Sequence, residues 1–410
     1  MKVIILLLLV LGFVRAITLE QALEIAKERA NQIRLSELDI RKAEEEIKRA
    51  RAGILPQVSI SYSYTYFGQD LALGTIPNNR HSAVLQLNQN IFNKQVFELI
   101  KLANIQRELQ SLIKEDVQRT LENQVKDLFY VLLYRKAIIK LQEENLAYWE
   151  ENYKVVSAKF SAGVVPKVEL LRAQSQLEQA RAQLEQARAE YLKALENFKA
   201  LIKLEGDVEP EGALELKEFD LKEEELLQAL KERNSTLRVA KKLVELAQGM
   251  VELKRAQNLP TVNGFANYQV FTGRRSFFGD TELLKGYSFG VSINYLIFDG
   301  FSRKAEMSVA EIDLLKQREN LLQLEYDLKA RLRSTLLSIN SLKTQIKAVQ
   351  SSLEFAKEGL RLSTERYRLG VGSQLEVLEA RANYNNLLAN YYLLLYQYNS
   401  SLASLERLIQ

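Results

Sequence analysis

The sequence predicts a mostly α-helical chain with a transmembrane β-barrel part, built as two copies of one unit. Three observations predict this. Landmarks recur in order at a nearly fixed spacing. Lys27-Glu28-Arg29 returns as Lys231-Glu232-Arg233 and Leu55-Pro56 as Leu259-Pro260, both 204 residues on. Ile91-Phe92 returns as Ile297-Phe298 after 206 residues, and Phe160 with Gly163 as Tyr367 with Gly370 after 207. A drift of three residues is what small loop changes leave behind after a duplication. The second observation is four segments of about 10 residues that alternate apolar with small polar side chains, the length a tilted strand needs to cross a bilayer. The third is scarcity of breakers: 5 prolines and 17 glycines in 410 residues leave room for very long helices.

In chain order, Lys2 is followed by an apolar run from Val3 to Val14 and then Ala16. This reads as a secretory signal peptide over residues 1–16. The run is too short for a membrane span, which needs about 20 residues. No later segment is apolar enough to span as a helix, so a place in a membrane requires β-structure. The first repeat is expected over 17–203: a helix, strands 57–67 and 81–92, a long helix 94–161 and a helix 166–203. Residues 204–220, with Gly206, Pro210 and Gly212, read as an irregular link. The second repeat, 221–410, has a helix, strands 261–272 and 286–298, a long helix 301–369 and a helix 373–409. The two shorter helices before the strands are expected to run unbroken over about 18–54 and 221–258.

The strands carry two faces. Val58, Ile60, Tyr62, Tyr64 and Tyr66 oppose Ser59, Ser61, Ser63 and Thr65, and Tyr287, Phe289, Val291, Ile293, Tyr295 and Ile297 oppose Ser288, Gly290, Ser292 and Asn294. Ala83, Leu85, Leu87 and Ile91 oppose Ser82, Gln86, Asn88 and Asn90, whereas the 261–272 segment has mixed faces. Two hairpins of a soluble sandwich would also alternate. Only four strands are expected, however, behind an export signal. The smallest transmembrane barrels have about 8 strands, and an open edge in lipid leaves backbone groups unpaired. Strands from several identical chains must therefore complete one barrel.

The long helices repeat apolar residues every three or four positions, as in Leu109, Ile113, Val117, Leu121, Val125, Leu128 and Leu132. At about 1.5 Å per residue each would reach roughly 100 Å. After the first helix break comes a heptad run through Leu170, Ala173, Leu177, Ala180, Leu184, Ala187, Tyr191, Ala194, Phe198 and Leu201. The second copy reads Val377, Ala380, Tyr384, Leu387, Tyr391, Leu394 and Tyr398. Such a run is coiled-coil packing. Gly163 with Pro166, and Gly370 with Gly372, mark tight helix–helix turns at the ends farthest from the strands.

Other chemistry is excluded by what the chain lacks. It has no cysteine, so no disulfide and no thiolate site. Its one histidine, His81, falls at a loop–strand junction and makes neither a triad nor a metal site. A net charge of +4, with both signs alternating along helices, describes solvated faces and no nucleic-acid surface. No phosphate loop or nucleophile elbow is present. The reading is a non-enzyme without cofactor or metal. A secreted coiled-coil structural or adhesion protein is the competing class, and period-two strands argue against it.

The order of these landmarks, with Ile297-Phe298-Asp299-Gly300 after the last strand and Phe160-Ser-Ala-Gly-Val-Val and Tyr367-Arg-Leu-Gly-Val-Gly-Ser at the turns, resembles the TolC-like outer membrane factors. These are exit ducts of efflux pumps and type I secretion systems. The resemblance implies a homotrimer in the outer membrane, with a 12-stranded barrel and a long α-helical coiled-coil barrel in the periplasm. It implies a tip that docks a periplasmic adaptor (membrane fusion) protein and, through it, an inner-membrane transporter. Family aperture acids fall on Glu376 and Glu379, which share a helix face at i, i+3, and on Glu169 in the first copy. Three copies would ring the pore with carboxylates and favour cations. Where some members carry an arginine that pairs with the Glu169 position, this chain has Gly372, with Arg366 or Arg368 as the substitutes. Gly163, Val164, Gly370, Val371 and Ser373 are the expected adaptor contacts. Taken by themselves, the same residues are also ordinary turn glycines and solvated helix acids.

Overall fold

The computed structural model describes residues 15–68, 71–72, 75–218, 222–276 and 279–410. Its elements are β1 (Arg15–Ile17), α1 (Leu19–Arg29), α2 (Asn31–Ala52), β2 (Gln57–Tyr66), β3 (Asn79–Phe92), α3 (Lys94–Ser161) and α4 (Lys167–Ile202). There follow β4 (Val208–Pro210), α5 (Glu223–Arg233), α6 (Ser235–Ala256), β5 (Thr261–Gly273), β6 (Glu282–Asn294), α7 (Ser302–Arg368) and α8 (Gln374–Ile409). The repeated landmarks fall at the corners between elements. The Lys-Glu-Arg triplets end α1 and α5, and the Leu-Pro pairs precede β2 and β5. Residues 1–14 of the expected leader lie outside the described residues, and Arg15 and Ala16 belong to β1.

The chain divides into two compact units, one of residues 36–113 with 238–323 and one of residues 1–35, 114–237 and 324–410. The first holds an antiparallel sheet in the order β2-β3-β5-β6. Its register sets Ile60, Leu85, Tyr268 and Tyr287 in one row, and Ser59, Gln86, Asn267 and Ser288 in a row on the opposite face. This resolves the mixed pattern of the third strand: Phe265 and Phe271 share the polar face. Phe265 lies across Gly290, and Phe271 lies 5.2 Å beneath the Arg80 guanidinium. On the apolar face Ile60, Tyr62, Tyr287 and Phe289 are 77%, 68%, 80% and 78% exposed. His81 lies within β3 rather than at a junction, with Nδ1 2.8 Å from the Tyr62 hydroxyl. The fourth strand is Glu282–Asn294, not 286–298. It starts earlier because Gly273 still pairs with Glu282. It stops because Asn294 faces Thr261, beyond which Pro260 offers no N–H to the ladder. A bulge between Asn90 and Phe92 bends β3 at its end.

The other unit is helical, with a small strand pair the sequence reading missed. β1 and β4 pair in parallel, Ile17 against Pro210, so the link 204–220 is partly ordered. The link is held down further by Tyr398, whose hydroxyl donates to the Lys217 carbonyl at 2.5 Å, and by Asn399 to the Glu215 carbonyl at 3.0 Å. Ile17 and Val208 enter a core made by Leu121, Val125, Phe129 and Leu132 of α3 with Ala194, Leu195, Phe198 and Ile202 of α4. Farther along α4 the small-large heptad Ala173, Leu177, Ala180, Leu184 and Ala187 is buried, as its spacing requires.

The helices expected as single runs over 18–54 and 221–258 are each broken. Thr18 starts α1 with a capping box to Gln21, and α1 ends at Ala30, whose backbone is extended. In the second copy Asn234 makes the break. Its side-chain carbonyl accepts from Leu237 N–H at 2.8 Å, capping α6, while its amide donates to the Leu408 carbonyl at 3.0 Å. Asp116 on α3 accepts from Ser235 and Thr236 hydroxyls at 2.6 and 2.8 Å. The apolar period continues through both breaks, so periodicity alone cannot show them.

Glu122 on α3 ties α1 into this unit through Lys27 at 2.8 Å and meets Arg119 at 3.2 Å. Burial alone would push its carboxyl up. The ammonium of Lys27 and the guanidinium of Arg119 outweigh that and hold it below the usual value. A carboxyl depressed in the folded state contributes stability that is complete above its unfolded pKa, about 4.3, and is lost as pH falls through the folded one. Glu122→Gln is therefore expected to cost about 1 kcal/mol at neutral pH and to flatten the acid limb of stability below about pH 4, read by denaturant titration across pH.

Candidate aperture at the helical tips

Two helix–helix turns in the helical unit hold every residue the sequence nominated. In the first, α3 ends at Ser161, and Val164 N–H bonds back to the Lys159 carbonyl at 2.8 Å. Gly163 has φ +72°, a left-handed conformation that glycine takes without strain. Pro166 then leads into α4 in extended conformation. In the second turn Gly370 has φ +76°, and both Val371 and Gly372 N–H reach the Arg366 carbonyl, at 3.0 and 3.1 Å. Gly372 relieves a close approach: a Cβ there would stand 3.0 Å from Arg366 Cβ and 3.1 Å from Tyr367 N. Val164 and Val371 are 70% and 68% exposed. Ser373 caps α8, accepting from Glu376 N–H at 3.2 Å.

The acids are disposed unequally. Glu169, in the first turn of α4, pairs with Arg172 at 3.7 Å. Glu376, in the first turn of α8, accepts from the Ser373 hydroxyl at 3.3 Å and faces Arg366 at 3.8 Å. Within one chain Arg366 thus faces Glu376, and Glu169 meets Arg172. Glu379 is exposed and has no ion-pair partner among the described residues. It lies one turn along from Glu376, at the edge of a groove of about 500 Å³ lined also by Gln142, Asn145, Gln176, Arg381 and Asn385. No group of three or more metal-binding side chains is found among the described residues.

The structure adds a cluster that sequence reasoning passed over. Arg381 of α8 stacks 3.5 Å from the centre of the Tyr148 ring of α3. It also donates to the Glu144 carbonyl at 3.4 Å and approaches the Asn145 side-chain oxygen at 3.5 Å, which accepts from Asn385 at 3.0 Å. Burial pushes the Arg381 guanidinium below its usual value, with Tyr148 and Glu144 opposing. Nearer the turns, Lys159 sits 5.0 Å over the Tyr367 ring. The heptad pattern gives no sign of Arg381, because an arginine beside an a/d seam reads as one more solvated charge.

Very long paired helices ending in acid-bearing tight turns, joined to a sheet with one apolar and one small polar face, define a membrane-duct class of protein. The chain belongs to the outer membrane efflux protein family, whose sequence profile matches residues 22–202 and 226–409, one stretch per copy. It is 24% identical over 377 residues to outer membrane protein TolC of Escherichia coli, covering 87% of this chain and 76% of that one. It is 22% identical over 364 residues to nodulation protein T of Rhizobium leguminosarum, covering 84% and 76%. Its fold is that of the CmeC outer membrane channel of Campylobacter jejuni (TM-score 0.81, 17% identity, 95% of this chain and 85% of that one). It is likewise that of the open-state MtrE channel of Neisseria gonorrhoeae (TM-score 0.78, 19% identity, 95% and 88%). The protein is an outer-membrane efflux channel by family, with a large periplasmic helical part.

Proposed function

We propose that three copies of this chain form a passive exit duct of a tripartite efflux pump or a type I secretion system. A periplasmic adaptor hands cargo from an inner-membrane transporter to its helical tips. The observation that carries this reading is the sheet. It has β2 and β6 at its edges, one apolar face and one small polar face, and it needs strands from further copies to satisfy those edges in lipid. Three copies give twelve strands, within the range of known barrels. The duct is not an enzyme; its polar face and tips guide cargo selected by the transporter.

At the tips, Gly163, Val164, Gly370, Val371 and Ser373 form the adaptor contact. The exposed valines are the part turn geometry does not require. Glu376, Glu379 and Glu169 line the aperture. A secreted coiled-coil adhesion protein leaves the apolar sheet face with no role. The test is extraction from outer membranes followed by unheated gel electrophoresis and planar-bilayer recording. Heat-resistant trimers that conduct ions are expected. A soluble monomer without channel activity overturns the reading.

A further inference from the structure

The corners where strands of the sheet unit meet helices combine exposed apolar side chains with backbone carbonyls satisfied by side chains. After β6 the chain continues Tyr295-Leu296-Ile297-Phe298-Asp299-Gly300-Phe301 into α7. Ile297, Phe298 and Phe301 are 85%, 69% and 68% exposed. The two charged residues of this turn are turned onto it: Asp299 and Arg303 are each 17% exposed and pair at 2.8 Å. Arg303 also donates to the Leu296 carbonyl at 2.6 Å and the Gln257 carbonyl at 3.4 Å. The first copy reaches the same end with other residues. There Gln89 donates to the Ile54 carbonyl at 2.8 Å and Asn90 to the Gly53 carbonyl at 2.5 Å. In both copies, carbonyls just past a helix end are satisfied by a side chain and not left to solvent. Beside hydrocarbon an unpaired carbonyl is costly, and these corners meet that requirement as well as water would.

The second copy goes further. Gly300 and Phe301 both hold φ +67°, a conformation uncommon for a bulky residue and kept only where the surroundings fix it. It sets the Phe301 ring edge-on to Phe298 at 5.5 Å on the exposed side of the turn. The first copy has no such turn: Asn93 follows Phe92 directly and accepts from Gln95 N–H at 3.1 Å to begin α3.

We propose that the turn from Tyr295 to Phe301, which has no counterpart in the first copy, is a lipid anchor seated at the headgroup–acyl boundary of the leaflet nearest the helices. This rests on the outer-membrane duct reading above and adds an anchor to it. The occupant is lipid because Ile293, Tyr295 and Ile297 continue the exposed apolar row of β6. Side chains of a face stand perpendicular to a sheet, whereas a further copy would join it in plane through the strand edge. Aromatic rings are the side chains that favour the membrane interface.

The chain has a single tryptophan, Trp149, so Trp149→Phe gives a silent background. Into it go Phe301→Trp and, on the sheet's apolar face, Phe289→Trp. Both are reconstituted as the full chain in vesicles of phosphatidylethanolamine and phosphatidylglycerol, brominated at shallow or deep acyl positions. Phe289→Trp is expected to be quenched by acyl bromines, and Phe301→Trp most strongly by the shallow ones, with weak quenching by aqueous iodide. Phe298→Trp reports the same depth should Phe301→Trp fail to fold. Strong iodide quenching of Phe301→Trp, or shielding from both quenchers as a second copy would give, overturns the anchor while Phe289→Trp still reports the membrane face. Loss of lipid quenching at both positions overturns the membrane reading along with it.

Discussion

Replacing Glu376 and Glu379 together with alanine is expected to lower the cation-to-anion permeability ratio of single channels by about fivefold, the factor matching roughly 1 kcal/mol of lost attraction at close range in water. The measurement is the reversal potential under a salt gradient in planar bilayers. The single variants should not be equal. Glu376 is already engaged by the Ser373 hydroxyl and faces Arg366 at 3.8 Å, so part of its charge is offset within its own turn. Glu379 stands exposed on the next turn without such a partner among the described residues. Glu379→Ala should therefore carry most of the loss, and Glu376→Ala should chiefly loosen the start of α8. Unchanged selectivity in the double variant removes both residues from the aperture.

Phe198→Ala is expected to lower stability by about 3–5 kcal/mol, the range for emptying a buried aromatic site. Phe198 is fully buried and packs 6.1 Å from Phe129, centre to centre, where α3, α4 and α1 converge with the β1–β4 pair. Few neighbours there can collapse into the space, because the flanking residues Ala194 and Ala22 are small and already in contact. Phe198→Leu keeps more of the volume and should cost under about 1.5 kcal/mol. Denaturant unfolding followed by helical circular dichroism reads both. Equal costs for the two would mean that the site is not a packed core.

The parts of this fold that obey a period were legible in the sequence. Period two set the faces of β2 and β6, period seven set the buried run of α4, and glycine marked the left-handed turns at Gly163 and Gly370. The parts that depend on one distant contact were not. Asn234 ends α5 because its side chain caps α6 and reaches the Leu408 carbonyl, 174 residues away along the chain. The β1–β4 pair is three residues long on each side, too short for alternation to register. The end of β6 is set by the missing N–H of Pro260, which precedes the neighbouring strand β5. At the candidate aperture the acids were found by their place after a recognised turn. Their ion partners were not: Arg366 and Arg368 both precede Gly370, and only the wrap of that turn brings Arg366 to Glu376.

The pairing of the tip acids bears on how the two hairpins are coupled mechanically. Glu169 with Arg172 and Glu376 with Arg366 each close a loop inside a single hairpin. Neither acts as a rivet between hairpins. The ties between them near the turns include Arg381 on the Tyr148 ring and Lys159 over the Tyr367 ring, together with hydrogen bonds from Arg381 and Asn385 to Asn145 and from Gln374 to Asn152. A cation over an aromatic face has a broad, shallow energy minimum, unlike a bidentate ion pair with its fixed geometry. At Arg381 the same side chain also donates to the Glu144 carbonyl, so there the broad contact is joined to a directional one. The tip acids therefore leave the coupling of one hairpin to the other to residues farther from the turns, Arg381 and Asn385 on α8 and Tyr148 and Asn145 on α3.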